Sequence, residues 1–160
     1  MTDVLKKLTT IIMAGGKGER LFPLTRDKAK PVITFGSLYR IIDFTLSNCL
    51  NSGIRRIYVL SQYGSFSLDQ HLRQAWDIMH PDLDEFIYSM PPQQIMVSRW
   101  YRGTADSIFQ NLNLLEAERP RHVLILSGDH VYKLNYREML DFHLRQGADL
   151  TVAAVMVPRT

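Results

Sequence analysis

At 160 residues the chain has the length of about one domain, and its 46% hydrophobic and 22% charged content is that of a globular protein with a real core. A net charge of +3 is too mild to argue for nucleic acid, and no apolar run approaches the ~20 residues of a membrane span. One cysteine, Cys49, excludes an internal disulfide and fits a reducing compartment, and the opening MTDVLKKL carries no secretory signal pattern, so the expected location is the cytoplasm.

Along the chain, Thr9–Met13 reads as a short buried strand bounded by glycine. Residues 14–36 hold four glycines and two prolines and read as loop. Ile42–Ser52 has a helical pattern stopped by Gly53. Ile57–Leu60 is a second buried strand and Ser65–Trp76 a helix; residues 77–94 read as irregular, and Ile95–Val97 as a short strand. Ala105–Arg119 places Ile108, Leu112 and Leu115 on one helical face. Val123–Leu126 is a third buried strand, Asn135–Arg145 a helix before Gly147, and Leu150–Val157 a fourth apolar run. Continuously apolar strands alternating with helices predict an α/β fold, a mostly parallel sheet with helices on both faces. Such sheets bind ligands beyond the carboxyl ends of their strands, where the loops after Met13 and Leu126 lie.

The first of those loops is the strongest signal. IIMAGGKGERLFPLTRDKAKP (Ile11 to Pro31) joins an apolar strand to Gly15, Gly16 and Gly18, then Arg20 and Lys30-Pro31. Glycines let backbone N–H groups approach anionic oxygens, and cations neutralise charge that backbone dipoles leave over. Between Lys17 and Lys30 five cations face two acids, an excess equal to that of the whole chain, which suits a small anionic ligand better than a long polyanion. The loop is not a Walker A loop, because Gly16-Lys17 is followed by Gly18, nor a dinucleotide fingerprint, because Leu21 stands where its third glycine belongs. A polyphosphate site is the favoured reading, against a tight structural turn.

In LSGDH (Leu126 to His130), Asp129 sits just past a buried strand, where a carboxylate either holds Mg²⁺ beside a triphosphate or caps the following turn. His130 is not read as a ligand, since hard Mg²⁺ does not favour imidazole. In RWYRGTADS (Arg99 to Ser107), Gly103-Thr104 precede a helix, and Trp100 and Tyr101 are either pocket walls or packing residues. Gln93 and Gln94, after Pro91-Pro92, suit a base edge or a solvated loop.

Together these motifs resemble the nucleotidyltransferases that make nucleotide-activated sugars. FGSLYRIIDFTLSNCLNSGIRRIYVLSQY (Phe35 to Tyr63), WYRGTAD (Trp100 to Asp106) and SGDHVYK (Ser127 to Lys133) narrow the resemblance to the glucose-1-phosphate adenylyltransferases, over essentially all 160 residues. It implies a Rossmann-like fold of the nucleotide-diphospho-sugar transferase type, and synthesis of ADP-glucose and pyrophosphate from ATP and glucose 1-phosphate. By the same resemblance, Arg20, Lys30 and Asp129 would be catalytic, with Asp129 on Mg²⁺. ATP would meet Ala14, Gly15, Gly16, Lys17, Gly18, Gln93, Gln94, Gly103, Thr104 and Ala105, and glucose 1-phosphate would meet Tyr101. Lys28 and Arg40 match positions that bind anionic allosteric effectors, although Asp27 stands where some members carry lysine. The family suggests a homotetramer.

Family chains run well past this length, with a second Mg²⁺ aspartate, a Glu-Lys-Pro sugar-binding segment and a C-terminal β-helix. The expectation is therefore that residues 1–160 are the N-terminal, ATP-binding part of a catalytic domain. Rival readings are a non-catalytic regulatory subunit on the same fold and an enzyme activating another sugar phosphate. No Ser-His-Asp or Cys-His arrangement is evident, and none is needed when the nucleophile is already an anionic sugar phosphate.

Overall fold

The computed structural model describes residues 2–16, 18–92 and 100–158. In chain order its elements are α1 (Thr2–Lys6), β1 (Leu8–Ala14), a small hairpin of β2 (Thr34–Phe35) and β3 (Tyr39–Arg40), α2 (Ile41–Asn51), β4 (Arg56–Ser61), α3 (Ser65–Ala75), β5 (Phe86–Met90), α4 (Thr104–Phe109), α5 (Leu112–Glu118), β6 (His122–Ser127) and α6 (Tyr136–Gln146). The main sheet has the order β5-β4-β1-β6 and every pairing in it is parallel.

Register assigns the two faces. Thr10, Ile12 and Ala14 of β1 lie level with Ile57, Val59 and Ser61 of β4, and Leu124 and Leu126 of β6 complete that face. Ile12, Val59 and Leu126 pack there with Ile42, Leu46 and Cys49 of α2, Leu68 and Leu72 of α3, and Tyr136 of α6. Each fully buried aliphatic side chain is worth about 1.5–3 kcal/mol of transfer free energy, so this layer is the main cohesive element. On the opposite face Tyr58 donates its phenol hydrogen to Glu118 of α5 at 2.7 Å. Helices thus cover both faces, as alternating strands and helices predict. Cys49 is fully buried and its thiol is pushed up to about 12 by burial, the inert small core residue its helical context implies.

Four expectations need correction. Residues 77–94 are not wholly irregular, because β5 pairs in parallel with β4, and its Phe86 and Tyr88 pack against Tyr58 at ring-centroid distances of 4.8 and 6.1 Å. FIYSM is short and mixed in polarity, so cross-strand aromatic packing rather than local pattern makes it a strand. Residues 105–119 form two helices, since Asn111 leaves the helical region (φ −113°, ψ 20°) while its buried amide donates to the Ser107 carbonyl at 2.8 Å. The third strand is only half buried: Val123 and Ile125 of β6 are 39% and 48% exposed. The run from Leu150 to Val157 forms no strand, and Leu150, Val152, Val155, Met156 and Val157 are exposed. A strand needs a neighbour for its backbone hydrogen bonds, and among the described residues no strand pairs with that run. Ile95–Val97 lies outside the described residues.

One buried carboxylate ties the helical layer together. Asp43, in the first turn of α2, accepts from the Arg40 backbone N–H at 2.7 Å through Oδ2. Its Oδ1 meets His71 Nε2 at 2.6 Å and Trp76 Nε1 at 2.8 Å, joining α2 to α3 and to the residue that ends α3. Burial by itself would raise the carboxyl; the bonds from His71, Arg40 and Trp76 outweigh it and hold it below the ordinary value. A depressed acid contributes stability that is complete above the ordinary carboxylate pKa of 3.8 and is lost as pH falls through the folded value. Asp43→Asn, with one acceptor oxygen for three donors, is expected to cost about 2–3 kcal/mol near neutral pH. The acid limb of its stability profile should also flatten. Urea unfolding between pH 3 and pH 7 checks both, and an unchanged acid limb would show that Asp43 does not carry this term.

Candidate active site

Because β1 lies between β4 and β6, three strand ends open side by side, and the segments that follow them line a cavity of about 360 Å³. After β1 come Gly15 and Gly16; after β4, Gln62 and Tyr63; after β6, Asp129. Lys30, Tyr101, Arg102, Gly103 and Thr104 are also in the wall. Gly18 closes the turn at φ +66°, and a Cβ there would stand 2.8 Å from Thr25 Cγ2 and 2.9 Å from Lys30 Cβ. Glycine at this position is what lets the Lys30 segment lie against the loop. Thr25 fixes the contact by donating its hydroxyl to the Gly18 carbonyl at 3.0 Å.

Lys30 opens a 3-10 turn, Lys30–Val32, anchored by buried Pro31 and Val32. Its ammonium reaches across 99 residues of sequence to donate to Asp129 Oδ2 at 2.6 Å. The other carboxylate oxygen, Oδ1, accepts from Ser127 Oγ at 2.5 Å. Burial works to raise the Asp129 carboxyl, and the bonds from Lys30 and Ser127 overcome it and hold it below the ordinary value. The turn that carries it is fixed by two bonds to neighbouring elements. Gly128 N–H donates to the Met13 carbonyl at 2.9 Å, and buried Thr45 of α2 donates to the Ser127 carbonyl at 3.0 Å.

The remaining wall is built around Tyr101. Its backbone N–H donates to Gln62 Oε1 at 3.2 Å, and its phenol oxygen accepts from Asn111 Nδ2 at 3.1 Å. Trp100 stacks on Tyr63 with ring centroids 4.7 Å apart and planes 2° from parallel. Of the two readings open for these aromatics, Tyr101 is a cavity wall, whereas Trp100 packs on a residue of that wall.

Not every expected residue reaches this cavity. Ala14, Gly15, Gly16, Lys30, Tyr101, Gly103, Thr104 and Asp129 line it. Arg20 is exposed on a 3-10 turn, Glu19–Leu21, outside the lining, and Ala105 sits one residue beyond the wall in α4. Lys17, Gln93 and Gln94 lie outside the described residues. Lys28 lines a second cavity with Glu19, Arg26 and Asp27, on the far side of Tyr63. Arg40 is elsewhere, in β3 of the hairpin, where its guanidinium donates to Thr34 Oγ1 of β2. Gln62, Ser127 and Asn111 escape sequence reading. Gln62 had a usable signal, its place just past a buried strand; Ser127 and Asn111 are polar residues whose partners only the fold reveals.

Among the described residues no three His, Cys, Asp or Glu side chains converge as a metal cage. One anionic oxygen donor on the cavity wall does fit a hard divalent cation that takes its other ligands from phosphates and water. His130, 66% exposed and 3.5 Å from Asp129, adds no second oxygen.

Residues 9–160 match the sequence profile of the nucleotidyl transferase family. The chain is 53% identical over 148 residues to a glucose-1-phosphate adenylyltransferase of Koribacter versatilis, covering 92% of this chain and 36% of that protein. It is 52% identical over 157 residues to that of Rhodopirellula baltica and 54% identical over 157 residues to enzyme 2 of Vibrio vulnificus, in each case over 98% of this chain and over 35% and 38% of the relative. The chain therefore spans a little over a third of the length of these relatives. Members of the family generally use a divalent metal. With a glycine-rich turn after β1, a lysine–aspartate pair in the cavity wall and a profile match from Thr9 onward, the chain belongs to the nucleotidyl transferase family.

Proposed function

We propose that these residues form the ATP side of a glucose-1-phosphate adenylyltransferase, which makes ADP-glucose and pyrophosphate from ATP and glucose 1-phosphate for glycogen or starch synthesis. The observation that carries the reading is the 2.6 Å Lys30–Asp129 pair beside the Gly15-Gly16 turn: a cation and an anion together on one wall of a cavity at the strand ends. The names of the relatives, at 52–54% identity over nearly the whole chain, supply the substrates.

The reaction joins two anions at the α-phosphorus, so its obstacle is charge repulsion and alignment rather than proton removal. The glucose 1-phosphate oxygen attacks, pyrophosphate leaves, and no general base is required. The backbone N–H groups of the glycine turn receive phosphate oxygens. Lys30, held at the wall by Asp129, turns its ammonium to the triphosphate as charge shifts toward the leaving group, and Arg20 adds a second cation. Asp129 would hold the divalent metal, here proposed to be Mg²⁺, which when bound neutralises phosphate charge. Tyr101 contacts glucose 1-phosphate, and Gly103, Thr104 and Ala105 meet the adenine, a role the family resemblance extends to Gln93 and Gln94.

The second cavity pairs Arg26 and Lys28 with Glu19 and Asp27, two cations against two acids. This supports only weak binding of an anionic effector through Lys28. Arg40, the β3 residue that immediately precedes α2, would serve the same role from a separate surface. A homotetramer and a cytoplasmic location complete the proposal; a buried, reduced Cys49 is in keeping with the latter, and no helix is long and apolar enough to cross a membrane among the described residues.

Lys30→Ala and Asp129→Asn in the full-length enzyme should each lower kcat for ADP-glucose by about a hundredfold or more while circular dichroism is unchanged. Unchanged rates would instead mark a non-catalytic regulatory subunit. Assayed side by side, ATP should be used in preference to UTP, dTTP and GTP, and a preference for another nucleotide would reassign the activated sugar. Residues 1–160 alone should bind ATP weakly by calorimetry and make no ADP-glucose; robust synthesis by this segment would overturn the assignment of the sugar side to other residues.

A further inference from the structure

Asn111 is among the largest fully buried side chains, at 2% exposure, and so is out of reach of any ligand in the cavity. A buried amide without partners is costly, yet this one is fully engaged as a donor. One hydrogen of Nδ2 goes to the Ser107 carbonyl at 2.8 Å and the other to the Tyr101 phenol oxygen at 3.1 Å. Ser107 itself donates its hydroxyl to the Thr104 carbonyl at 2.7 Å, so the amide stands on a first turn of α4 that is already braced. Tyr101 is thereby held at two points, its backbone N–H on Gln62 and its phenol oxygen on Asn111.

The direction of the second bond has a chemical consequence. Because Asn111 donates, Tyr101 must accept, and its own hydrogen cannot point back at the amide. Among the hydrogen bonds of the described residues that hydrogen has no acceptor, and Tyr101 lines the cavity. Burial pushes the phenol up, against a smaller opposing pull from the Asn111 bond, so the hydrogen is retained at neutral pH.

We infer that Asn111 is a positioning residue that turns Tyr101 into a one-way hydrogen-bond donor for an acceptor-only oxygen, a phosphate oxygen of the sugar phosphate. The inference rests on the proposed glucose-1-phosphate reaction. A phosphate dianion offers lone pairs and no hydrogens, so a phenol locked as donor is preorganised for it and loses no rotor freedom on binding. A phenol free to choose either role would accept from a sugar hydroxyl or water equally well.

Asn111→Asp tests this with almost no change of shape. A carboxylate at the same place accepts the phenol's hydrogen instead of donating, turning Tyr101 away from the ligand. In the full-length enzyme the KM for glucose 1-phosphate should rise about tenfold or more, while that for ATP stays within about twofold. Tyr101→Phe should reproduce the effect, and N111D/Y101F should be no worse than either single variant, because both remove one donor. A KM for glucose 1-phosphate unchanged in N111D, equal rises in both KM values, or losses that add in the double variant would each overturn the inference. Should N111D fail to fold, Asn111→Ser, with a single hydrogen for two acceptors, is expected to give the same split, and equal rises there overturn it. A wild-type enzyme indifferent to glucose 1-phosphate would refute the functional reading and this inference together, whereas a dependent wild type with an unaffected N111D refutes the inference alone.

Discussion

Strand β1 is paired on both sides from Thr10 to Met13, to β4 and to β6, and the arrangement of the cavity follows from that double pairing. Parallel strands end at one edge of the sheet, so the chain segments leaving β1 at Ala14, β4 at Ser61 and β6 at Ser127 come out side by side although they are far apart in sequence. Apolar burial on the Ile12 face supplies most of the cohesion and fixes the register. Shifting β1 by one residue would exchange Ile12, level with Val59 and Leu126, for a residue of the other face, and the glycine turn would move with it.

On that scaffold the charged groups do something the core cannot. Lys30 arrives on a turn clamped by Pro31 and Val32, Asp129 on a turn clamped by Gly128 and, through Ser127, by Thr45. Neither cation nor anion is fully buried, which spares the heavy desolvation cost of an ion pair in the interior and leaves both exchangeable for a ligand's charges. The contrast with Asp43 is instructive. That carboxylate is saturated by three donors and sealed, and serves the fold; Asp129 holds two donors and lines the cavity.

Much of this was legible in the residues. The parallel α/β plan, α2, α3 and α6 to within a residue or two, and the placement of Gly15, Gly16, Lys30 and Asp129 around one cavity follow from apolar runs, glycines and the strand-end rule. What was missed had no local signature. β5 is a strand because Phe86 and Tyr88 find Tyr58; α4 and α5 are separate because Asn111 finds Ser107 and Tyr101; and Leu150 to Val157, strand-like by composition, has no edge to join among the described residues.

The sequence by itself determined the groups available: a glycine-rich turn, cations spaced along the loop that follows it, and a carboxylate past a buried strand. Those depend on residue type and on short-range pattern, which the chain carries locally. Only the tertiary structure decided which of these groups meet. It brought Lys30 to Asp129 and left Arg20 outside the cavity wall; it put Lys28 in a second cavity and gave buried Asn111 a hold on Tyr101. Such pairings join residues as much as 99 positions apart, and hydrogen-bond direction and burial exist only once the sheet has set the distances.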